Sequence, residues 1–477
     1  MKQPPCEVPL IVRGEIIEDY AKEFTTARGD RQFVTPDAAA YLNRLTIPPA
    51  AMSDLIGLRL DDVVDFLDAL GRRLAIARNP HLQQAYELSR GASMLSDAIL
   101  RDMYEKLPQM FRSDAVRHRV TALLGPGHLE GWIDLPAFDG AHTRARVRAF
   151  GARTVHIVAG NTPVIGAATV LNNAIIRGDA LIKSPSNDPM TAAAVVRTMV
   201  EMAADHPLTR HASVAYWKGG DARIERPLYN PRRIEKIVAW GGVASIRHIT
   251  GELQPGLDLI TLDPKQGLAI IDAAALLEPA SLEDVGRRLA LDIGVLNQEA
   301  CFNTRLVYLV GRGAPEELAL ATRLAETTFR CMQELPDAVS APHPAFDMEL
   351  KAELDALRML DSDHIVIGGR RNEGAIIVSR SGTPVDFAHR LGCRVANIIP
   401  VKTVDAALAA VSSCAQTVCV YPQALQHSLR DRLALHGAQR IVPVGGASMD
   451  PDLACPQDGM ELLRRMCKWI VDEEQAL

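Results

Sequence analysis

Cysteine is thinly spread, with eight residues at 6, 301, 331, 393, 414, 419, 455 and 467 and no Cys-x-x-Cys pair. That argues against both a disulfide framework and a structural zinc site. Cys414 and Cys419 stand five apart without His or Cys partners at ligand spacing, so no metal is expected. No apolar run reaches the about 20 residues that a membrane-spanning helix needs. The most apolar stretch, Val155 to Leu171, is broken by His156, Asn161 and Pro163. The opening Met-Lys-Gln-Pro-Pro-Cys-Glu lacks the apolar core of a secretory leader and matches no lipidation motif, so a cytoplasmic location is expected. No block of five like charges occurs and the net charge is −6, so nucleic acid is not an expected partner. The dinucleotide fingerprint Gly-x-Gly-x-x-Gly is also missing, which disfavours a standard Rossmann dehydrogenase.

What is present describes a folded protein. The chain has 477 residues, 48% hydrophobic and 23% charged, enough for two to four structural units of roughly 100 to 200 residues each. Up to about residue 150 the pattern is mostly helical, with amphipathic stretches over Leu58 to Ala77 and Leu82 to Tyr104. Arg144, Arg146 and Arg148 then alternate with Ala145 and Val147. This stretch, within 139–150, reads either as a solvated edge strand or as an arm for subunit contact.

From Thr154 the pattern becomes strand, helix, strand. Thr154 to Ala159 is a strand, Gly160-Asn161-Thr162 a tight loop, and Pro163 the first turn of a helix closed by Gly178. Ala180 to Lys183 is the next strand. So short a crossover implies a βαβ unit and a parallel sheet, with the Asn161 loop at the carboxyl edge where ligands bind. Ser213 to Trp217 and Ile234 to Trp240 add strands that exit through Gly219-Gly220 and Gly241-Gly242 at the same edge. Further on, a helix opened by Ser281 with Asp284 as its capping acid leads into Asn297-Gln-Glu-Ala-Cys301-Phe-Asn, and the strand Thr304 to Val310 follows. A last amphipathic helix is expected from Gly459 to about Glu473. The fold class is α/β, in two halves. Cys301, in a polar loop, is the candidate nucleophile, since loop donors or a nearby cation can hold a thiol as its reactive thiolate.

The order of motifs resembles the aldehyde dehydrogenase superfamily. Within it, Ile157-Val-Ala-Gly-Asn161, Leu181-Ile-Lys183, Ser213-Val-Ala-Tyr-Trp217, Gln298-Glu-Ala-Cys301 and Gln457-Asp-Gly-Met460 are similar to the acyl-CoA reductases typified by the reductase subunit of the bacterial luminescence fatty-acid reductase complex. The resemblance spans about residues 120 to 477. It implies an aldehyde-dehydrogenase-like fold with a Rossmann-like cofactor domain and a catalytic domain. Cys301 then attacks a thioester to form an S-acyl enzyme, and Asn161, with the Cys301 N–H, holds the developing oxyanion. Lys183 matches the lysine placed on the adenosine ribose or its phosphate, and the Gly219-Gly220 and Gly241-Gly242 turns complete the cofactor site.

Two departures from the oxidising members bear on the reaction. Three residues after Lys183, where NAD-preferring enzymes often carry Glu, stands Ser186, which does not repel a 2′-phosphate, so NADPH is the expected cofactor. Where those enzymes present a glutamate base, this chain reads Leu262, so water is not activated against the acyl enzyme. The superfamily's late glutamate is likewise not evident near Leu391-Gly-Cys393. The expectation is an NADPH-dependent acyl-CoA reductase that forms homo-oligomers and works beside an acyl-transferring partner. Its domains are 1–261 for the helical region and cofactor, 262–445 for the nucleophile, and 446–477 as a C-terminal segment. The alternatives are a carrier-protein thioester reductase, a CoA-acylating aldehyde dehydrogenase, or a non-catalytic nucleotide-binding scaffold.

Overall fold

The computed structural model describes residues 4–26, 31–125, 127–136, 143–313, 315–360, 363–448 and 455–475. The chain divides into two compact units, one of residues 1–93, 100–263 and 452–477, the other of 94–99 and 264–451.

The first unit is built on a seven-stranded sheet ordered Asp258–Leu262, Lys236–Trp240, Arg153–Ile157, Asp179–Lys183, Ala212–Ala215, Leu10–Val12 and Glu15–Ile17. The first five strands are parallel, with Val155 beside both Leu181 and Ile237. The expected βαβ unit is formed by Arg153–Ile157, the helix Pro163–Ile176 and Asp179–Lys183. Its helix begins on Pro163 after an extended Thr162, and it ends on Arg177, at φ 56, rather than on Gly178. The Arg177 guanidinium holds that left-handed turn by pairing with Glu130 and donating to the Leu129 carbonyl. Strand order runs outward in both directions from Arg153–Ile157, which opens a crevice at the carboxyl ends.

Three parts of this unit depart from the sequence reading. Residues before 36, read within a helical region, form the short strands Cys6–Glu7, Leu10–Val12, Glu15–Ile17, Lys22–Thr25 and Gln32–Thr35. Arg13 and Gly14, at φ 55 and 80, make the two-residue left-handed turn that suits a hairpin. The stretch Leu82 to Tyr104 is two helices, Pro80–Arg90 and Asp97–Lys106, parted after Gly91.

The expected helix over Gly459 to Glu473 is confined to Leu462–Met466, and Cys467–Gln475 is a strand. It pairs antiparallel with Thr143–Gly151, setting Glu474 opposite Arg144 and Asp472 opposite Arg146. Opposite charges facing each other across a ladder favour the strand over the helix. Ile133–Asp134 pairs on the other side, so the arginine-bearing strand is the middle one of three and not an edge. Residues 139–142 of the expected arm lie outside the described residues.

The second unit has its own seven-stranded sheet, ordered His364–Gly368, Ala375–Ser379, Val395–Val401, Thr304–Val310, Gln266–Asp272, Ala415–Tyr421 and Arg440–Pro443. All neighbours are parallel except the first pair. Val285, Leu289 and Ile293 of the helix Pro279–Gly294 pack with Leu320 and Leu324 of Pro315–Gln333 onto Ile271, Val307 and Ile398. Leu350 and Leu354 of Met348–Leu360, with Leu429 and Leu433 of Gln423–His436, belong to a second core with Leu268 and Val418. Pro279–Gly294 opens on its proline, two residues before Ser281, and Asp284 pairs with Arg287 and Arg288 instead of closing a capping box.

Candidate active site

The carboxyl edge of the first unit's sheet gathers the residues expected to hold a cofactor. Asn161 follows Arg153–Ile157 in a half-exposed loop. A Cβ on Gly160 would stand 3.0 Å from Asn187 and Pro185, so this loop lies directly against the one carrying Ser186. Lys183 closes its strand with Nζ 5.6 Å from the centre of the Trp217 ring. Burial pushes the ammonium pKa down, opposed by the Glu225 carboxylate. Among the described residues the Lys183 ammonium makes no hydrogen bond or ion pair, so its desolvation is offset best by a bound anion.

Trp217 leads into Gly219 and Gly220. Gly220 sits at φ +86, where a side chain would be strained. Its N–H donates to Glu225 at 3.0 Å, and the same buried carboxylate accepts from Trp217 Nε1 at 3.1 Å and faces His248 Nε2 at 2.7 Å. Glu225 therefore fixes the first glycine turn, a role that no sequence motif announced. Gly241 and Gly242 leave Lys236–Trp240 to start the helix Val243–Gly251. A Cβ on Gly219 or Gly242 would meet nothing within 4 Å, so the edge is open there. The helices Pro163–Ile176 and Val243–Gly251 both start at this edge and offer N–H groups suited to phosphate. A nicotinamide dinucleotide fits these residues.

Cys301 lies in the second unit, half-buried between Pro279–Gly294 and Thr304–Val310. Before it, Leu296, Asn297 and Gln298 are consecutively left-handed at φ 53, 53 and 66. Such a backbone costs about 1–2 kcal/mol per residue without glycine, so it persists only where neighbours hold it. Asn297 accepts from the Ala341 N–H at 2.9 Å, and Asn303 accepts from the Ala300 N–H at 2.9 Å while donating to the Val295 carbonyl at 3.0 Å. Gln298 donates to the carbonyls of Thr304 and Val395 at 2.9 and 3.0 Å and accepts from the Val395 N–H at 2.8 Å. The polar residues around Cys301 are thus the frame of its loop. Gly267 permits the close approach of the neighbouring strand, since a Cβ there would fall 2.2 Å from the Phe302 carbonyl oxygen.

Three further side chains surround the loop. Gln416 Nε2 donates to Cys301 Sγ at 3.0 Å. Arg305 donates to the carbonyls of Leu391 and Gln298 at 2.7 and 3.4 Å. Its pKa is pushed down by burial and drawn up by Glu299 and Cys301. Glu299 also faces His343 Nε2 at 3.4 Å. Burial would lower the His343 pKa, but hydrogen bonds to the Cys393 and Glu299 side chains carry it up to about 9. The one sequence signal for these was Arg305, a charge in the otherwise apolar strand Thr304–Val310. Gln416 and His343 come from far along the chain.

Among the described residues no group of three or more His, Cys, Asp or Glu side chains is placed to hold a metal ion, and no helix is long and apolar enough to cross a membrane.

The family model for acyl-CoA reductase (LuxC) matches residues 55–469. A long-chain acyl-protein thioester reductase of Vibrio harveyi is 26% identical over 483 residues, covering 98% of this chain and 93% of that relative. Another, of Photorhabdus laumondii, is 30% identical over 338 residues, covering 69% and 66%. Among solved structures, the NADP-dependent glyceraldehyde-3-phosphate dehydrogenase of Bacillus halodurans complexed with NADP matches with a TM-score of 0.75 at 14% identity, over 99% of this chain and 100% of that one. The lactaldehyde dehydrogenase of Escherichia coli matches at 0.72 and 13% identity, with the same coverage. The fold is that of the aldehyde dehydrogenases.

Proposed function

The chain belongs to the acyl-CoA reductase (LuxC) family, and from that premise we propose that it reduces an acyl thioester to an aldehyde through an acyl group carried on Cys301. The observation that carries this reading is the built loop around a half-exposed thiol, with an amide donor on its sulfur and a guanidinium within electrostatic reach. The Cys301 thiolate attacks the thioester carbonyl. A new carbon–sulfur bond forms, the donor's own thiolate leaves and takes a proton, and the acyl group stays on the enzyme. Asn161 donates its side-chain amide to the oxygen on which charge develops, which typically lowers such a barrier by about 3 kcal/mol. Leu262, an apolar residue where oxidising relatives of the fold carry a base, offers water no proton acceptor at that position, which favours an acyl enzyme spared hydrolysis.

Lys183, Ser186, Gly219, Gly220, Gly241 and Gly242 would hold NADPH, which when bound supplies the hydride for the reduction. Lys183 pairs with a 2′-phosphate and the Ser186 hydroxyl donates to it. On this reading residues 1–261 serve the cofactor and 262–445 the acyl group. The exposed Trp132, Leu135, Ile470 and Val471 support a contact between copies of the chain in a homo-oligomer.

The donor in this reading is acyl-CoA. A second donor, an acyl group on a partner protein, is favoured by the relatives described as acyl-protein thioester reductases. Mixing the protein with acyl-CoA alone, then locating the adduct by mass spectrometry, tests the mechanism: one acyl group on Cys301 is expected. Cys301→Ala should abolish reduction and keep NADPH binding. An adduct on another cysteine, or reduction surviving in the variant, overturns it. Rates with acyl-CoA against acyl carrier protein distinguish the donors.

A further inference from the structure

The pairing of the second unit's sheet slips at one level, on both sides of the strand Gln266–Asp272. Toward Ala415–Tyr421, Gln266 stands beside Ala415 but Gly267 beside Thr417, so Gln416 is skipped. Toward Thr304–Val310, Gly267 stands beside Thr304 but Leu268 beside Leu306, so Arg305 is skipped. A residue left out of register is a bulge, which bends its strand and re-aims its side chain, and such features gather near active sites. Two of them flank the same Gly267, whose missing side chain admits the Cys301 loop. One re-aimed residue places Nε2 3.0 Å from Cys301 Sγ. The other is the guanidinium whose charge interacts with Cys301.

From this geometry we propose that Gln416 is a positioning residue that holds the Cys301 sulfur as an aimed thiolate. The inference rests on Cys301 being the nucleophile. A neutral amide suits the task because it donates to a sulfur anion and accepts no proton, so the thiol proton passes to solvent. A donor and a cation beside one sulfur both favour the charged form. The neighbouring groups suit it: the Arg305 charge interacts with both Glu299 and Cys301, while His343 faces Glu299 and the Cys393 side chain.

The test is the rate at which iodoacetamide alkylates Cys301, followed against pH in wild type, Gln416→Leu and the isosteric Gln416→Glu. Loss of the donor should raise the midpoint by about one pH unit, so that the rate at neutral pH falls up to about tenfold. Gln416→Glu should raise it further, because a carboxylate adds a like charge beside the sulfur. Melting temperature and NADPH binding of the same samples report folding. Midpoints equal to wild type in folded Gln416→Leu and Gln416→Glu overturn the proposal. So does a shift seen only where melting temperature collapses while folded Gln416→Glu titrates as wild type. The underlying reading fails separately: a Gln416-dependent midpoint with no acyl adduct on wild-type Cys301 removes the thioester mechanism, whereas an adduct with an unmoved midpoint removes only the role of Gln416.

Discussion

Replacing Gln298 tests whether the cysteine loop is held by side-chain hydrogen bonds. Its amide is buried at 1% exposure and spans from Thr304 to Val395 through three bonds of 2.8–3.0 Å. In Gln298→Leu the Val395 N–H keeps a partner, because the Gly392 carbonyl also lies 2.9 Å away. The carbonyls of Thr304 and Val395 each lose a buried donor, at about 1–2 kcal/mol apiece, for a loss of about 2–4 kcal/mol. Gln298→Glu sharpens the test, since it keeps the shape and turns the donor into an oxygen facing those two carbonyls. The new carboxyl is favoured in its protonated form, so its pKa in the folded state lies above the unfolded value of about 4.3. Its stabilising contribution is present in full below that unfolded value and is lost as pH rises through the folded one. Urea unfolding at about pH 5 and about pH 8, read by hydrogen exchange of amides within 264–451, measures both variants unit by unit. Gln298→Leu within ~0.5 kcal/mol of wild type, or a Gln298→Glu deficit equal at both pH values, would refute the reasoning.

Asn161→Ala should lower turnover by about two to three orders of magnitude while leaving the melting temperature near wild type, as expected of a donor acting in the transition state. A stability loss with turnover per folded molecule intact would make it a loop residue only. Ser186→Glu should shift the NADPH to NADH ratio of kcat/KM toward NADH, because a carboxylate repels a 2′-phosphate and accepts from free ribose hydroxyls. A ratio that stays put removes Ser186 from the ribose pocket. His343, raised to about 9, stabilises in full below its unfolded value of 6.5 and loses that contribution as pH rises through about 9. The difference in melting temperature between wild type and His343→Gln should therefore shrink from about pH 7 to about pH 10, and a constant difference counts against the buried ion pair.

The first unit's parallel sheet was legible because its signals are local. Pro163 starts a helix and strands flank it within a few residues, so the crossover, the parallel sheet and the Asn161 loop follow from short-range chemistry. The strand Cys467–Gln475 was misread because the residues that favour it, Arg144 and Arg146, lie more than 300 positions away. Gln416, and the bulge that re-aims Arg305, were hidden for a related reason. A bulge is a property of how two strands pair, and neither strand carries it alone. The three polar residues Asn297, Gln298 and Asn303 were visible, and their roles were not, since an amide in a loop looks the same whether it binds a ligand or holds the backbone.

The pairing of Thr143–Gly151 with Cys467–Gln475 also bears on the order in which the protein can be built. On the ribosome the arginine-bearing strand emerges while its main partner has yet to be synthesised, and residues 264–451, nearly all of the second unit, are translated in between. During that interval Arg144 lacks Glu474 opposite it, Arg146 has only Asp134 of its two carboxylate partners, and the strand exposes an unpaired edge, which is the condition that invites aggregation of nascent chains. The stretch 264–451, which with the earlier 94–99 makes the second unit, can fold as it emerges. The first unit is finished late, when the returning strand closes it. A nascent chain stalled before residue 467 would hold a nearly assembled seven-stranded sheet and only two strands of the three-stranded one, a species for holdase chaperones to recognise.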